Sequence, residues 1–166
     1  MPQDLYLDRY AYPKNFIKEN PHNRLGISVV IPCYNEPNLI GSLDSLRDAM
    51  PPLCGVEVIV VINQPVKAEE AVHQQNLKTL LDTEAWKREW DRPDWKVHVI
   101  YAKDLPRKHA GVGMARKIGM DEAYRRFALL DSTDAGVIAC FDADSLCRDD
   151  YLTALEAHFT RYPDTP

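Results

Sequence analysis

Two aspartates, Asp142 and Asp144, flank Ala143 at the end of an apolar run, VIACFDA at 137–143. Carboxylates so placed leave the end of a strand instead of pairing with lysines along a solvated helix. Like charges held this close repel unless a cation lies between them. A hard divalent ion, Mg²⁺ or Mn²⁺, takes one or two carboxylates and completes its shell with water and phosphate oxygens. The competing role is the N-terminal cap of the next helix, where Asp and Ser satisfy free amides. Asp149 and Asp150 stand nearer that helix start and suit the cap better. Asp142 and Asp144 are therefore the candidate metal ligands.

A second group is cationic. Residues 103–126 hold Lys103, Arg107, Lys108, Arg116, Lys117, Arg125 and Arg126 against Asp104, Asp121 and Glu122, a local +4 in a chain of net charge −5. Cations beside a glycine-containing loop and a helix start can hold a diphosphate. Lys108 and Lys117 are the candidates, whereas Arg125 and Arg126 read as a solvated helix end favoured by the dipole. Gly111-Val112-Gly113 is not a dinucleotide fingerprint: Arg116 stands where the third glycine would be, and the loop follows a third strand instead of a first.

These groups need a scaffold, and the hydrophobic pattern supplies one. ISVVIPC (27–33), VEVIVVI (56–62), KVHVIYA (96–102) and VIACFDA (137–143) are β-branched runs suited to strands buried on both faces. Between and after them, helices are expected over 36–50, 68–90, 112–128 and 149–162. Their inward faces should carry Leu39, Leu43 and Met50, then Leu77, Leu80, Leu81 and Trp86, then Ile118 and Phe127, then Leu152 and Phe159. Strands alternating with helices imply right-handed crossovers and a doubly wound, mainly parallel α/β sheet with helices on both faces. Residues 1–26, without a clear period, read as an extension beside a single domain over 27–166. In such sheets ligands lie beyond the carboxyl ends of the strands, at the point where strand order reverses. That rim comprises Pro32 to Glu36, Asn63 and Gln64, Lys103 to Gly113, and Asp142 to Ser145.

Composition narrows the partners. The chain has 166 residues, 45% hydrophobic and 27% charged, the balance of a globular domain. Its acidic net charge argues against a general nucleic-acid binder. No apolar run reaches the roughly 20 residues needed to cross a bilayer, and the start carries no secretory signal pattern. The expectation is a cytoplasmic protein, with work at the inner membrane face left open for a longer form. Cys33, Cys54, Cys140 and Cys147 form no CxxC pair, so reduced thiols are expected. Cys33 and Cys140, inside apolar runs, should be buried.

Taken in order, VVIPCYNEPNLIGSLDSL, VIVVINQ, HAGVGMARKIGMDEA and ACFDADSLCRDDYL resemble the amino-terminal half of family-two glycosyltransferases of the GT-A fold. The resemblance covers residues 27–160. It implies a nucleoside-diphosphate sugar, UDP- or GDP-linked, across the rim, with base and ribose near Pro32, Tyr34, Glu36 and Asn63. It also implies that Asp142 meets the ribose or the metal and that Asp144 is the direct metal ligand. Where the family commonly has Asp at the end of the second strand this chain has Asn63, an amide that can both donate and accept. The family places its acceptor-activating carboxylate well beyond the DxD, so the expectation is a domain cut before that half, with an apolar docking face open to self-association. The acceptor is not specified. FDADSL also resembles the opening motif of haloacid-dehalogenase-like phosphatases, which would make Asp142 a nucleophile; a non-catalytic nucleotide-sugar-binding module is the other alternative.

Overall fold

The computed structural model describes residues 4–90, 92, 94–106, 110–130 and 135–165. The Val- and Ile-rich runs form β1 (Leu25–Cys33), β2 (Gly55–Pro65), β3 (Trp95–Leu105) and β4 (Val137–Cys140). All pair in parallel, in the order β3-β2-β1-β4. The helices are α1 (Leu5–Arg9), α2 (Leu39–Asp48), α3 (Glu70–Arg88), α4 (Val112–Leu129) and α5 (Tyr151–Arg161). From β1 to β3 the chain steps in one direction, which keeps α2 and α3 on one face. The step from β3 to β4 turns back past β1, and the same handedness sends α4 to the other face.

Two cores result, one on each face. Leu39, Leu43 and Leu46 of α2 and Leu152 of α5 pack on Val29, Ile31, Val58 and Val60. Ala115, Ile118 and Ala123 of α4 pack on Val30, Ile59 and Val61. Gly119 lets α4 lie close: a Cβ there would come within 2.4 Å of the Val30 Cγ1. The described part of the extension covers this second face. Its Tyr6 hydroxyl and Tyr12 amide each donate to the buried Asp121 carboxylate at 2.6 Å. The amides of Phe16 and Ile17 donate to Glu122 at 3.1 and 3.0 Å.

Several expectations need correction. Arg126 is not a solvated helix end: it is 2% exposed and forks onto the buried Glu57 carboxylate of β2, with one arm at 2.7 Å. His98 of β3 lies 3.7 Å from the same carboxylate. Arg125 bonds Glu122 at 3.0 Å and the Tyr12 carbonyl. In α3 the buried residues are Asn76, Thr79 and Thr83, while Leu77 and Leu81 are exposed. A moment of apolar residues alone misplaces this face, because the helix meets polar loop backbone there. Met50 and Cys140 are exposed as well; Cys140 ends the short β4, which pairs on one side only among the described residues.

Burial pushes the Glu57 carboxyl up, but His98 and Arg126 outweigh it and hold it below the ordinary glutamate value. A depressed acid contributes stability above its ordinary value and loses it as the pH falls through the folded-state one. Replacing Glu57 by Gln leaves the Arg126 charge buried and unpaired, so about 3–5 kcal/mol of stability should be lost in urea unfolding at neutral pH. The gap between wild type and Glu57→Gln should narrow on acidification below about pH 4. Equal midpoints at neutral pH would contradict this.

Candidate functional site

The reversal of strand order lies between β1 and β4, and their carboxyl ends carry most of the candidate residues. Pro32 is buried within β1. After Cys33 the chain turns through Asn35, whose φ of 51° is left-handed, a region asparagine tolerates better than most residues. The turn leaves Tyr34 exposed and Glu36 half-buried at the rim. The backbone of this turn is tied to α3: the Asn35 amide donates to the Asn76 carboxamide at 2.9 Å, and the Thr79 hydroxyl donates to the Glu36 carbonyl at 2.9 Å.

On the other side of the reversal, β4 ends at Cys140 and the chain continues one bond further, the Phe141 amide donating to the Val30 carbonyl at 2.9 Å. Phe141 and Ala143 are buried, the chain turns after Asp142, whose carbonyl accepts the Ser145 amide at 3.1 Å, and Asp142 and Asp144 are both exposed. Helix α2 holds this segment from below. The Ser42 hydroxyl donates to the Ala143 carbonyl at 2.7 Å, and the Cys147 amide donates to the Ser45 hydroxyl at 3.2 Å. The two carboxylates therefore project from a backbone fixed on both sides. Asp150 occupies the N-cap position of α5 without a side-chain cap bond; its carboxylate takes Arg148 instead, at 2.9 Å.

The cations divide differently from the sequence expectation. Lys108 lies outside the described residues. Lys117 bonds the Asp121 carboxylate and the Tyr10 carbonyl, each at 2.8 Å. Burial pushes its ammonium down, yet Asp121 and Tyr6 hold it above the ordinary lysine value. It is thus bound up in fastening the extension to α4. Arg116, passed over in favour of the lysines, sits a turn into α4 with its guanidinium 3.4 Å from the Asp142 carboxylate. The available signal was chemical: a planar guanidinium suits phosphate oxygens better than a point ammonium does, and Arg116 is the first cation after the helix start.

Asn63, at the end of β2, is fully buried. Its Nδ2 donates to the Ala110 carbonyl at 2.5 Å, and its Oδ1 has no partner among the described residues. The amide tethers the β3–α4 loop to the end of β2. Among the described residues no cluster of three or more His, Cys, Asp or Glu side chains is placed to enclose a metal. Asp142 and Asp144 are two exposed carboxylates, a number that suits an ion taking its remaining ligands from water and phosphate. Partial burial pushes the nearby Cys140 thiol above the ordinary cysteine value.

Residues 28–165 match the model of a family described as glycosyl transferase family 2. Nothing among curated proteins matches. Of solved structures, S. aureus TarS 1-349 is similar with a TM-score of 0.54 and 19% identity, over 82% of this chain and 33% of that one. Its complex with UDP-GlcNAc is similar at TM-score 0.54 and 20% identity, over 82% and 32%. S. aureus TarS itself gives a TM-score of 0.54 and 19% identity, over 83% and 20%. The chain thus spans about a third of the length of TarS 1-349, and at this identity the likeness establishes the α/β fold. Among the described residues no helix is long and apolar enough to cross a membrane.

The Ala110 tether needs an amide donor at position 63. Asn63→Asp would set a carboxylate oxygen against the Ala110 carbonyl, and stability at neutral pH should fall by about 1–3 kcal/mol. Burial raises the folded-state value of such an acid, so its stability is present at low pH and lost as the pH rises. Thermal unfolding should show the deficit shrinking toward pH 4; a variant as stable as wild type at pH 7 would refute the tether.

Proposed function

The chain belongs to glycosyl transferase family 2, and from that premise we propose that it binds the nucleoside-diphosphate sugar of a glycosyl transfer, with a divalent cation at Asp142 and Asp144. The observation that carries this reading is the pair of outward carboxylates on fixed backbone at the reversal of strand order, where α/β sheets bind ligands. The structural neighbours include TarS complexes with UDP-GlcNAc and with UDP, which supports a uridine nucleotide over a guanosine one. No observation favours the phosphatase or the non-catalytic module.

The residues divide the work by chemistry. Tyr34, Glu36 and Asn63 border the nucleoside side of the rim: the exposed Tyr34 ring offers a stacking surface and Glu36 a carboxylate for ribose hydroxyls. Arg116 supplies a fixed positive charge for phosphate oxygens and keeps Asp142 oriented meanwhile. Asp144, without an ion pair in the described structure, is the direct metal ligand. When bound, Mn²⁺ or Mg²⁺ supplies positive charge against the nucleoside diphosphate as it departs. Lys117 is left out of this assignment, because its ammonium is engaged by Asp121. Transfer to an acceptor hydroxyl needs a base within hydrogen-bond reach of it, and we assign none to this chain.

Calorimetric titration of UDP and GDP, with Mn²⁺ and with chelator, tests the reading. UDP should bind more tightly with metal, and Asp144→Ala should abolish that gain without changing the unfolding free energy by more than about 0.5 kcal/mol, since an exposed carboxylate supports little packing. Asp142→Ala should weaken binding less selectively. Equal binding in chelator, or a full metal effect in Asp144→Ala, would remove the metal assignment.

A further inference from the structure

Helix α3 turns a polar face to the interior, and Asn76 is its centre. The side chain is fully buried. Its Oδ1 accepts the Asn35 amide at 2.9 Å. Its Nδ2 donates to the Asn63 carbonyl at 3.3 Å and to the Gln64 Oε1 at 3.3 Å. Gln64 is itself fixed, its Oε1 accepting the Tyr101 hydroxyl at 2.7 Å and its Nε2 lying 3.0 Å from the His73 Nδ1. One carboxamide thus bridges the loop that carries Tyr34 and Glu36 to the strand end that carries Asn63, two segments adjacent in space but far apart in sequence.

Burying a polar side chain costs free energy unless it is hydrogen-bonded, and a leucine or methionine would fill the same space without that cost. The position instead holds a group that accepts through one atom and donates two hydrogens through another, as a carboxamide does. Its acceptor side meets the amide of Asn35 itself, the residue whose left-handed backbone makes the turn. We propose that Asn76 is a positioning residue for the nucleoside: it sets the Tyr34–Glu36 loop and Asn63 in register so that base and ribose meet a preformed subsite. The inference rests on the nucleotide-binding reading above. It touches only the nucleoside half of that ligand, since no bond of Asn76 reaches the β4 end or Arg116.

That division gives the test. On the full chain, Asn76→Leu removes all three bonds and Asn76→Asp keeps the acceptor for the Asn35 amide but loses the donors. Thr83→Val, on the same helix and bonded among the described residues to the Thr79 carbonyl alone, serves as a control for loss of helix stability. UDP and inorganic pyrophosphate are titrated, each with Mn²⁺, well below the unfolding midpoint. Asn76→Leu should weaken UDP by about tenfold or more and leave pyrophosphate within twofold of wild type. Asn76→Asp should fall between, and Thr83→Val should change neither ligand. Hydrogen exchange at the Asn35 amide should speed up in Asn76→Leu but not in Thr83→Val. Unchanged UDP affinity in Asn76→Leu, or equal losses for UDP and pyrophosphate, overturns the proposal, and if Asn76→Leu does not fold, Asn76→Asp decides by the same split. A wild type that binds neither UDP nor GDP overturns the nucleotide reading first and this proposal with it.

Discussion

Pairing of β1 with β2 on one side and with β4 on the other is the constraint from which the rest of the molecule follows. Because β4 enters the sheet beside β1 and not beside β3, the crossover must reverse, α4 must change face, and the loops after β1 and β4 must diverge above the sheet. That is the place where open α/β sheets bind their ligands. The carboxylates of Asp142 and Asp144 are functional candidates through this placement; the same tripeptide at the amino end of a strand would face the opposite edge of the sheet.

The two faces meet that constraint with different chemistry. On the α2 side, leucines fill the lower part of the interface and serines of the same helix hold the backbone of residues 143–147. Apolar burial supplies the driving force, and the hydroxyls supply direction at small cost, since each has a partner. On the α4 side, charge is buried. Asp121, Glu122 and Arg126 are each almost fully enclosed, and their partners come from the extension, from β2 and from Lys117 and Arg125 of α4 itself. Such groups are tolerated only as satisfied sets, so the extension completes α4 and is no appendage to it.

Polar interior groups near the rim do the finer work. Asn63, Gln64, Asn76 and Thr79 bind backbone or one another where three loops converge. Loop backbone cannot satisfy itself as a helix or sheet does, so side-chain amides and hydroxyls stand in for the missing partners. That requirement explains why α3 presents threonines and an asparagine inward and leaves Leu77 and Leu81 outside.

Much of this was legible in the chain itself. Period and β-branching marked four strands and their helices to within a few residues, because short β-branched apolar runs bounded by turn residues read as strands of a covered sheet. The acids after 137–141 stood out because carboxylates rarely end an apolar strand without a use. Strand order, and with it the pairing of Arg116 with Asp142, could not be read, since residues 26 positions apart meet only when α4 crosses over. The burial of Arg126 was hidden for the same reason: its partner Glu57 lies in a run that reads as apolar, and a charge pair inside a core has no local signature. Lys117 and Asn76 mark the limit most clearly. Composition shows a cation near a glycine loop and an amide on a helix, while tertiary contact alone decides that the lysine neutralises Asp121 and that the amide joins two loops. Hydrogen bonds between distant segments are specified by where the chain folds back, and no period along the sequence records that.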